Sequence, residues 1–175
     1  MLLDLSQIRV ARERVERGYE PDAFTQEEGE YRVVGPVDLV VDIQKDRDRY
    51  QLAGHVRAAL RLTCSRCAES FTRPVDAHFD LRYLPHSANT GEGEVEIEED
   101  DLTTAYYRDE VIDLGHLMSE QFQLSLPMKP LCSEACRGLC PECGVNLNVT
   151  SCNCTRTWQD PRLAPLKNVV EKSKI

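Results

Sequence analysis

The sequence predicts an α+β fold: an antiparallel β-meander, an N-terminal and a C-terminal helix, and a zinc-ribbon-like cysteine-rich tail. Three observations carry this. Apolar residues repeat with period two in three runs between residues 37 and 83. On either side of those runs lies a segment with helical spacing. Finally, eight cysteines occur in four close pairs, six of them within residues 132–154. At 175 residues the chain has room for one domain and an appendage. Only 6% of it is aromatic, so the core must lean on Val, Leu and Ile.

The first helix is expected over residues 6–17. Asp4 or Ser6 offers a capping oxygen. Ile8, Ala11 and Val15 fall on one helical face, and Arg12/Glu16 and Glu13/Arg17 have i,i+4 spacing. Gly18 and then Pro21 end the run. In the first strand Val37, Leu39, Val41 and Ile43 share a face, and Lys45-Asp46-Arg47-Asp48 turns the chain. The second strand is the clearest. Leu52, Gly54, Val56, Ala58, Leu60 and Leu62 face one way, with Ala53, His55, Arg57, Ala59 and Arg61 opposite. In the third, Phe71, Arg73, Val75, Ala77, Phe79, Leu81 and Tyr83 form one face. Such alternation suits a half-buried antiparallel sheet.

Pro85, Ser87, Asn89, Gly91 and Gly93, followed by acids, read as a loop or linker. A second helix is expected over 114–126, with Leu114, Leu117, Met118, Phe122 and Leu126 on its apolar side. Pro127 and Pro130 end it. The expected organisation is an α+β domain over 1–130 with an acidic linker at about 85–110. A metal-binding module over 131–160, clipped to the sheet, and a flexible basic tail over 161–175 complete it.

The cysteine pairs are Cys64/Cys67, Cys132/Cys136, Cys140/Cys143 and Cys152/Cys154. Tetrahedral zinc takes four thiolate or imidazole ligands, commonly from two short-spaced pairs. Four pairs therefore suffice for two zinc ions. A disulfide scaffold would need an oxidising compartment. The start, Met1-Leu-Leu-Asp-Leu-Ser, does not read as a secretory signal. No stretch has the roughly 20 apolar residues that span a bilayer. The expected setting is the cytoplasm, with no membrane partner, where clustered thiols hold metal. A redox pair and an iron–sulfur cluster are the other readings of the same pairs.

Two partitions of the cysteines are open. The first groups Cys140, Cys143, Cys152 and Cys154 locally and leaves Cys64 and Cys67 with Cys132 and Cys136. The second groups Cys132, Cys136, Cys140 and Cys143, and sends Cys152 and Cys154 to Cys64 and Cys67. The first is preferred because one centre then forms within a short stretch. Energy does not choose. Closing the long gap from Cys67 to Cys132 costs about 4 kcal/mol, against roughly 10–16 kcal/mol for structural zinc.

Charge is segregated. The net −9 is carried by residues 92–113, where ten acids face one base, Arg108. From Cys132 onward six bases meet four acids. The chain has no global attraction for nucleic acid, so any RNA contact must be local or pass through a partner. Arg137, Arg156, Arg162, Lys167, Lys172 and Lys174 are the candidate RNA contacts. The acidic segment is either a solvated loop or a docking surface for a basic ribosomal protein. His55, His78, His86 and His116 have no ligand-like spacing to a cysteine. There is no phosphate loop and no H-E-x-x-H. Four thiolates close a zinc site against activated water, so no catalytic residues are expected.

Several stretches together resemble a known family. These are Leu-Thr-Cys64-Ser-Arg-Cys67, Asp113-Leu-Gly-His-Leu, the run from Leu124 through Cys132, Cys136, Cys140 and Cys143 to Asn148, and Cys152-Asn-Cys154. They resemble the YceD family over about residues 1–160, most specifically over Leu126 to Asn148. The resemblance implies accumulation of large-subunit (23S) ribosomal RNA, in bacteria and in chloroplasts, through a processing or assembly factor, and a bacterial source is expected for this chain. Its implied partner is the pre-ribosomal large-subunit particle or its RNA. The alternative is a zinc-ribbon protein-interaction adaptor that does not touch RNA.

Overall fold

The computed structural model describes residues 1–24, 30–88 and 102–154. Its strands are β1 (Leu2–Asp4), β2 (Arg12–Tyr19), β3 (Arg32–Val33), β4 (Val37–Asp46), β5 (Arg49–Thr63), β6 (Ser70–Pro85), β7 (Thr104–Tyr107) and β8 (Val111–Asp113). Helix α1 spans Leu114–Ser125. The chain divides into two compact units: Met1–Cys64 with Glu69–Cys132, and Ser65–Ala68 with the segment from Ser133 onward.

The first unit is built on one sheet in the order β2-β4-β5-β6-β7. Strands β4, β5 and β6 form the expected antiparallel meander. A two-residue turn joins β4 to β5, with Arg47 at φ 56°. β5 is longer than β4. Its first part pairs with β4 as far as Arg57, and β3 takes the same edge at Leu60 and Arg61. β7 runs parallel to β6, whereas every other pair is antiparallel. The parity read from sequence sets the buried face. Val37, Leu39, Val41, Ile43, Leu52, Val56, Leu60 and Leu62 are all buried, as are Val75, Ala77, Phe79 and Tyr83. Burying each large aliphatic side chain contributes ~1.5–3 kcal/mol. At Gly54 a Cβ would lie 2.1 Å from the Val40 carbonyl oxygen, so the close approach of β4 requires glycine.

Helix α1 packs on β6 and β1. Its apolar side is as expected: Leu114, Leu117, Met118 and Phe122 are buried. The Phe122 ring meets Phe24 at 5.8 Å and Tyr31 edge-on at 6.0 Å between centroids. Tyr31 donates its hydroxyl to the Ser119 carbonyl (3.3 Å). Asp113 caps the helix, accepting from the N–H groups of Gly115 (2.8 Å) and His116 (3.3 Å).

The expected N-terminal helix over 6–17 is not formed. Asp4 does cap a turn, accepting from the Ser6 N–H at 3.0 Å, but that 3-10 turn ends at Gln7. Residues Arg12–Tyr19 are strand β2, paired along their length with β4. Val15, Arg17 and Tyr19 are half-buried while Glu16 and Gly18 are exposed, which is strand parity. Glu16 engages Arg14 at 2.9 Å across i,i+2, and Arg14 reaches its register partner Asp42 at 3.4 Å. The backbone groups on that side of β4 need partners, and this demand outweighs weak helical spacing.

The acidic linker is also shorter than expected, because Thr104–Tyr107 pairs with Arg82–Pro85. Acidic residues 92–101 and residues 155–175 lie outside the described residues. No helix among the described residues is long and apolar enough to cross a membrane, a statement that leaves β-barrels aside.

Candidate metal centres

The structure brings the eight cysteines into two groups of four. In the first are Cys64, Cys67, Cys132 and Cys136; in the second are Cys140, Cys143, Cys152 and Cys154. Within each group all four sulfurs lie within 4.8 Å of one another. A zinc ion with ~2.3 Å bonds places its sulfurs roughly 3.8 Å apart. Both groups fit such an ion, and their donors are the soft thiolates it prefers. This grouping is the first of the two partitions.

In the first group Cys64 directly follows β5, and its N–H donates to the Glu69 carbonyl at 2.9 Å. This hydrogen bond closes the turn that carries Cys67, and Ala68 adopts φ 58° at its end. Cys64 continues the buried parity of Leu60 and Leu62. Cys64, Cys67 and Cys136 are 2%, 3% and 5% exposed. Cys64 and Cys132 each immediately precede a segment of the second unit, and those segments carry Cys67 and Cys136.

Arg66, between the two turn cysteines, ties those segments together. Its Nη1 donates to the carbonyls of Glu134 (3.1 Å) and Cys136 (2.9 Å). The Arg66 carbonyl accepts from the Leu139 N–H at 3.0 Å. Gly138 has φ +75°, and a Cβ there would lie 2.9 Å from the Arg66 oxygen. Asn148 supports the same group: its Nδ2 donates to Cys136 Sγ at 3.3 Å, while its Oδ1 accepts from the Arg137 N–H at 2.7 Å. Sequence reasoning missed Arg66 and Asn148 as supporting residues. Only their place inside the cysteine motifs pointed to them.

The second group is held by a small ribbon. The Cys140 N–H donates to the Val145 carbonyl (2.8 Å) and the Leu147 N–H to the Gly138 carbonyl (2.9 Å). Gly144, at φ +72°, lets the chain bend behind Cys143 and donates its N–H to the Cys140 carbonyl at 2.9 Å. Backbone N–H groups of Cys143 and Glu142, then the Cys152 thiol, pull the Cys140 thiol down to about 6. Hydrogen bonding to Cys143, then burial, pushes Cys154 up to about 12. Cys152 is raised too. The Cys154 N–H favours its thiolate, but Cys140, burial and Cys143 outweigh it. Four adjacent thiols cannot all ionise beside one another. A bound dication removes that conflict, because it favours every thiolate at once.

The other sequence candidates are placed less informatively. Arg137 is exposed. Arg156, Arg162, Lys167, Lys172 and Lys174 lie outside the described residues. The histidines stand apart from the cysteine groups. His55 and His78 are register partners with rings 5.4 Å apart. His86 lies beside Arg108 (2.6 Å) and His116 beside Glu120 (3.3 Å).

The family described as "Large ribosomal RNA subunit accumulation protein YceD" matches residues 52–169. This chain belongs to the YceD family. It is similar to "Large ribosomal RNA subunit accumulation protein YCED homolog 1, chloroplastic" of Arabidopsis thaliana, 28% identical over 78% of this chain and 49% of that protein. The Zea mays protein of the same description is 31% identical over 77% of this chain and 53% of its own length. A Mycobacterium bovis protein described as uncharacterised is 32% identical over 63% of this chain and 51% of that one. The chain thus spans about half the length of the curated relatives it matches. No solved structure matches it.

Proposed function

We propose that this YceD chain is a non-enzymatic, zinc-binding accessory factor of the bacterial cytoplasm. It supports accumulation and processing of 23S ribosomal RNA and assembly of the large subunit. The observation that carries this is the family match over residues 52–169, together with two plant relatives named for large ribosomal RNA subunit accumulation. The two cysteine groups support the zinc reading, since each offers four sulfur donors, the number that tetrahedral zinc takes. Such a set leaves no position for a reactive water, which supports binding rather than catalysis as the mode of action.

The test is depletion in a bacterial host, with quantification of large- and small-subunit ribosomal RNA and sedimentation of the tagged protein at low salt. Large-subunit RNA should fall relative to small-subunit RNA, and the protein should travel with large-subunit precursors. An unchanged ratio with no co-sedimentation refutes the reading and leaves the adaptor role. Metal analysis of the purified chain should give two zinc equivalents; one equivalent, or disulfides in anaerobically prepared protein, refutes the two-centre assignment.

A further inference from the structure

At the β4–β5 hairpin end of the sheet lies a cluster of cations that the cysteine centres do not use. Register places Arg12 opposite Gln44, Gln44 opposite Gln51, and Gln51 opposite Arg82. Neighbouring strands stand ~4.8 Å apart, so this row across four strands is about 14 Å wide. Arg49, two residues before Gln51 on β5, has the same parity. Lys45 borders the row and is held in place: its Nζ donates to the Ile8 carbonyl at 3.0 Å and sits 5.4 Å from the Tyr50 ring centre. These residues line one depression of about 440 Å³. Its lining holds four cations (Arg12, Lys45, Arg49 and Arg82) and one carboxylate, Asp46. That local +3 stands in a chain of net charge −9. Arg12 and Arg49 are exposed.

We propose that this end of the sheet holds the phosphate backbone of structured RNA, an inference that rests on the ribosomal-RNA reading above. Guanidinium forks match phosphate oxygens, and the Gln44 amide adds a neutral donor, while the Gln51 amide is engaged by the neighbouring Asp80 carboxylate at 2.9 Å. The aromatic residue of the depression, Tyr50, is 5% exposed and turned into the core, so unpaired bases have no platform to stack on. Contacts of this kind set the position of RNA without reading its sequence. The folded domain then carries an RNA contact of its own, apart from the basic tail.

The test uses full-length, zinc-loaded protein and a labelled 20-base-pair RNA duplex, read by fluorescence anisotropy over a salt series. The variants are R12Q/R49Q/R82Q, the double R12Q/R49Q that alters only exposed side chains, and a tail control R162Q/K167Q/K172Q. Urea midpoints matching the parent establish folding; if the triple variant does not fold, the double carries the test. Losing three phosphate contacts should flatten the slope of log affinity on log salt by roughly 2.7, and losing two by roughly 1.8. Affinity at low salt should fall at least tenfold, and more than in the tail control. Parental affinity and slope in the sheet-end variants overturn the proposal. So does a loss confined to polyglutamate binding, which would mark a protein-docking surface. A protein that co-sediments with large-subunit precursors yet binds no duplex also overturns it, while leaving the ribosomal-RNA reading intact. Sheet-end-dependent duplex binding without any effect of depletion supports the contact and refutes the reading.

Discussion

Replacing Asn148 should weaken the first metal centre, and the way it weakens distinguishes its cause. The Asn148 amide donates to Cys136 Sγ at 3.3 Å and to Asn146 Oδ1 at 2.9 Å, and accepts from the Arg137 N–H at 2.7 Å. Two ordinary hydrogen bonds contribute about 1 kcal/mol each, and one to an ionised sulfur ~1.5–3 kcal/mol. Water replaces part of this at an exposed site, so Asn148→Ala should cost about 2–3 kcal/mol. That agrees with the roughly 10–100-fold affinity loss typical of removing a group that supports a metal ligand. Asn148→Asp is almost the same size and keeps the acceptor for Arg137. It sets a carboxylate against the thiolate, however, at a Coulomb cost of about 1–5 kcal/mol for an effective dielectric between 80 and 20. The charge-based account therefore predicts that Asp is worse than Ala, although it preserves more of the contacts. Cobalt titration against a competing chelator, in a C152S/C154S background that isolates the first centre, measures both. Parental affinity in both variants, or Asp better than Ala, refutes the reasoning.

Other substitutions probe the fold that carries the centres. Phe122→Ala empties a fully buried site between Phe24 and Tyr31, and should lower stability by ~3–5 kcal/mol in urea titration. Gly54→Ala drives a Cβ against the Val40 carbonyl, and should cost about 1–3 kcal/mol even though alanine suits a strand better than glycine. Asp113→Ala removes the α1 cap and should cost ~1 kcal/mol at neutral pH. Burial, the largest single influence, raises the Asp113 carboxyl, but the N–H groups of His116 and Gly115 and the N-terminal ammonium together hold it below the usual aspartate range. Its contribution is therefore fully present above the unfolded value near ~3.9 and is lost as pH falls through the lower folded value. Melting curves of parent and variant should converge below that range and separate above it.

The meander and α1 were legible because their patterns are long and one-sided. Six same-parity residues from Leu52 to Leu62 admit no helical alternative, and Leu114, Leu117, Met118 and Phe122 admit no strand. The N-terminal segment was ambiguous. Ile8, Ala11 and Val15 fit a helix, Val15, Arg17 and Tyr19 fit a strand, and its charges serve either. A distant partner, β4, settled the matter through backbone pairing that no local window contains. β1, β7 and β8 are three or four residues each and exist for the same reason. Spacing alone left the cysteines two groupings, and the positions of the sulfurs distinguish them by bringing Cys140 and Cys143 to Cys152 and Cys154. Arg66 and Asn148 act through single long-range hydrogen bonds, which composition and periodicity do not record.

The two cysteine groups differ in cover. In the first, three of four sulfur-bearing residues are buried; in the second only Cys140 is, while Cys143 and Cys154 stand exposed. A chelator or peroxide must approach a sulfur to displace or oxidise it, so access sets the order of attack. Stripping such a molecule should proceed in two phases, fast at the exposed centre and slow at the buried one. Between them lies a long-lived species carrying one ion. Scarcity of metal would then act on this chain in steps, loosening the Gly138–Cys154 ribbon while the Cys64–Cys67 turn keeps its shape.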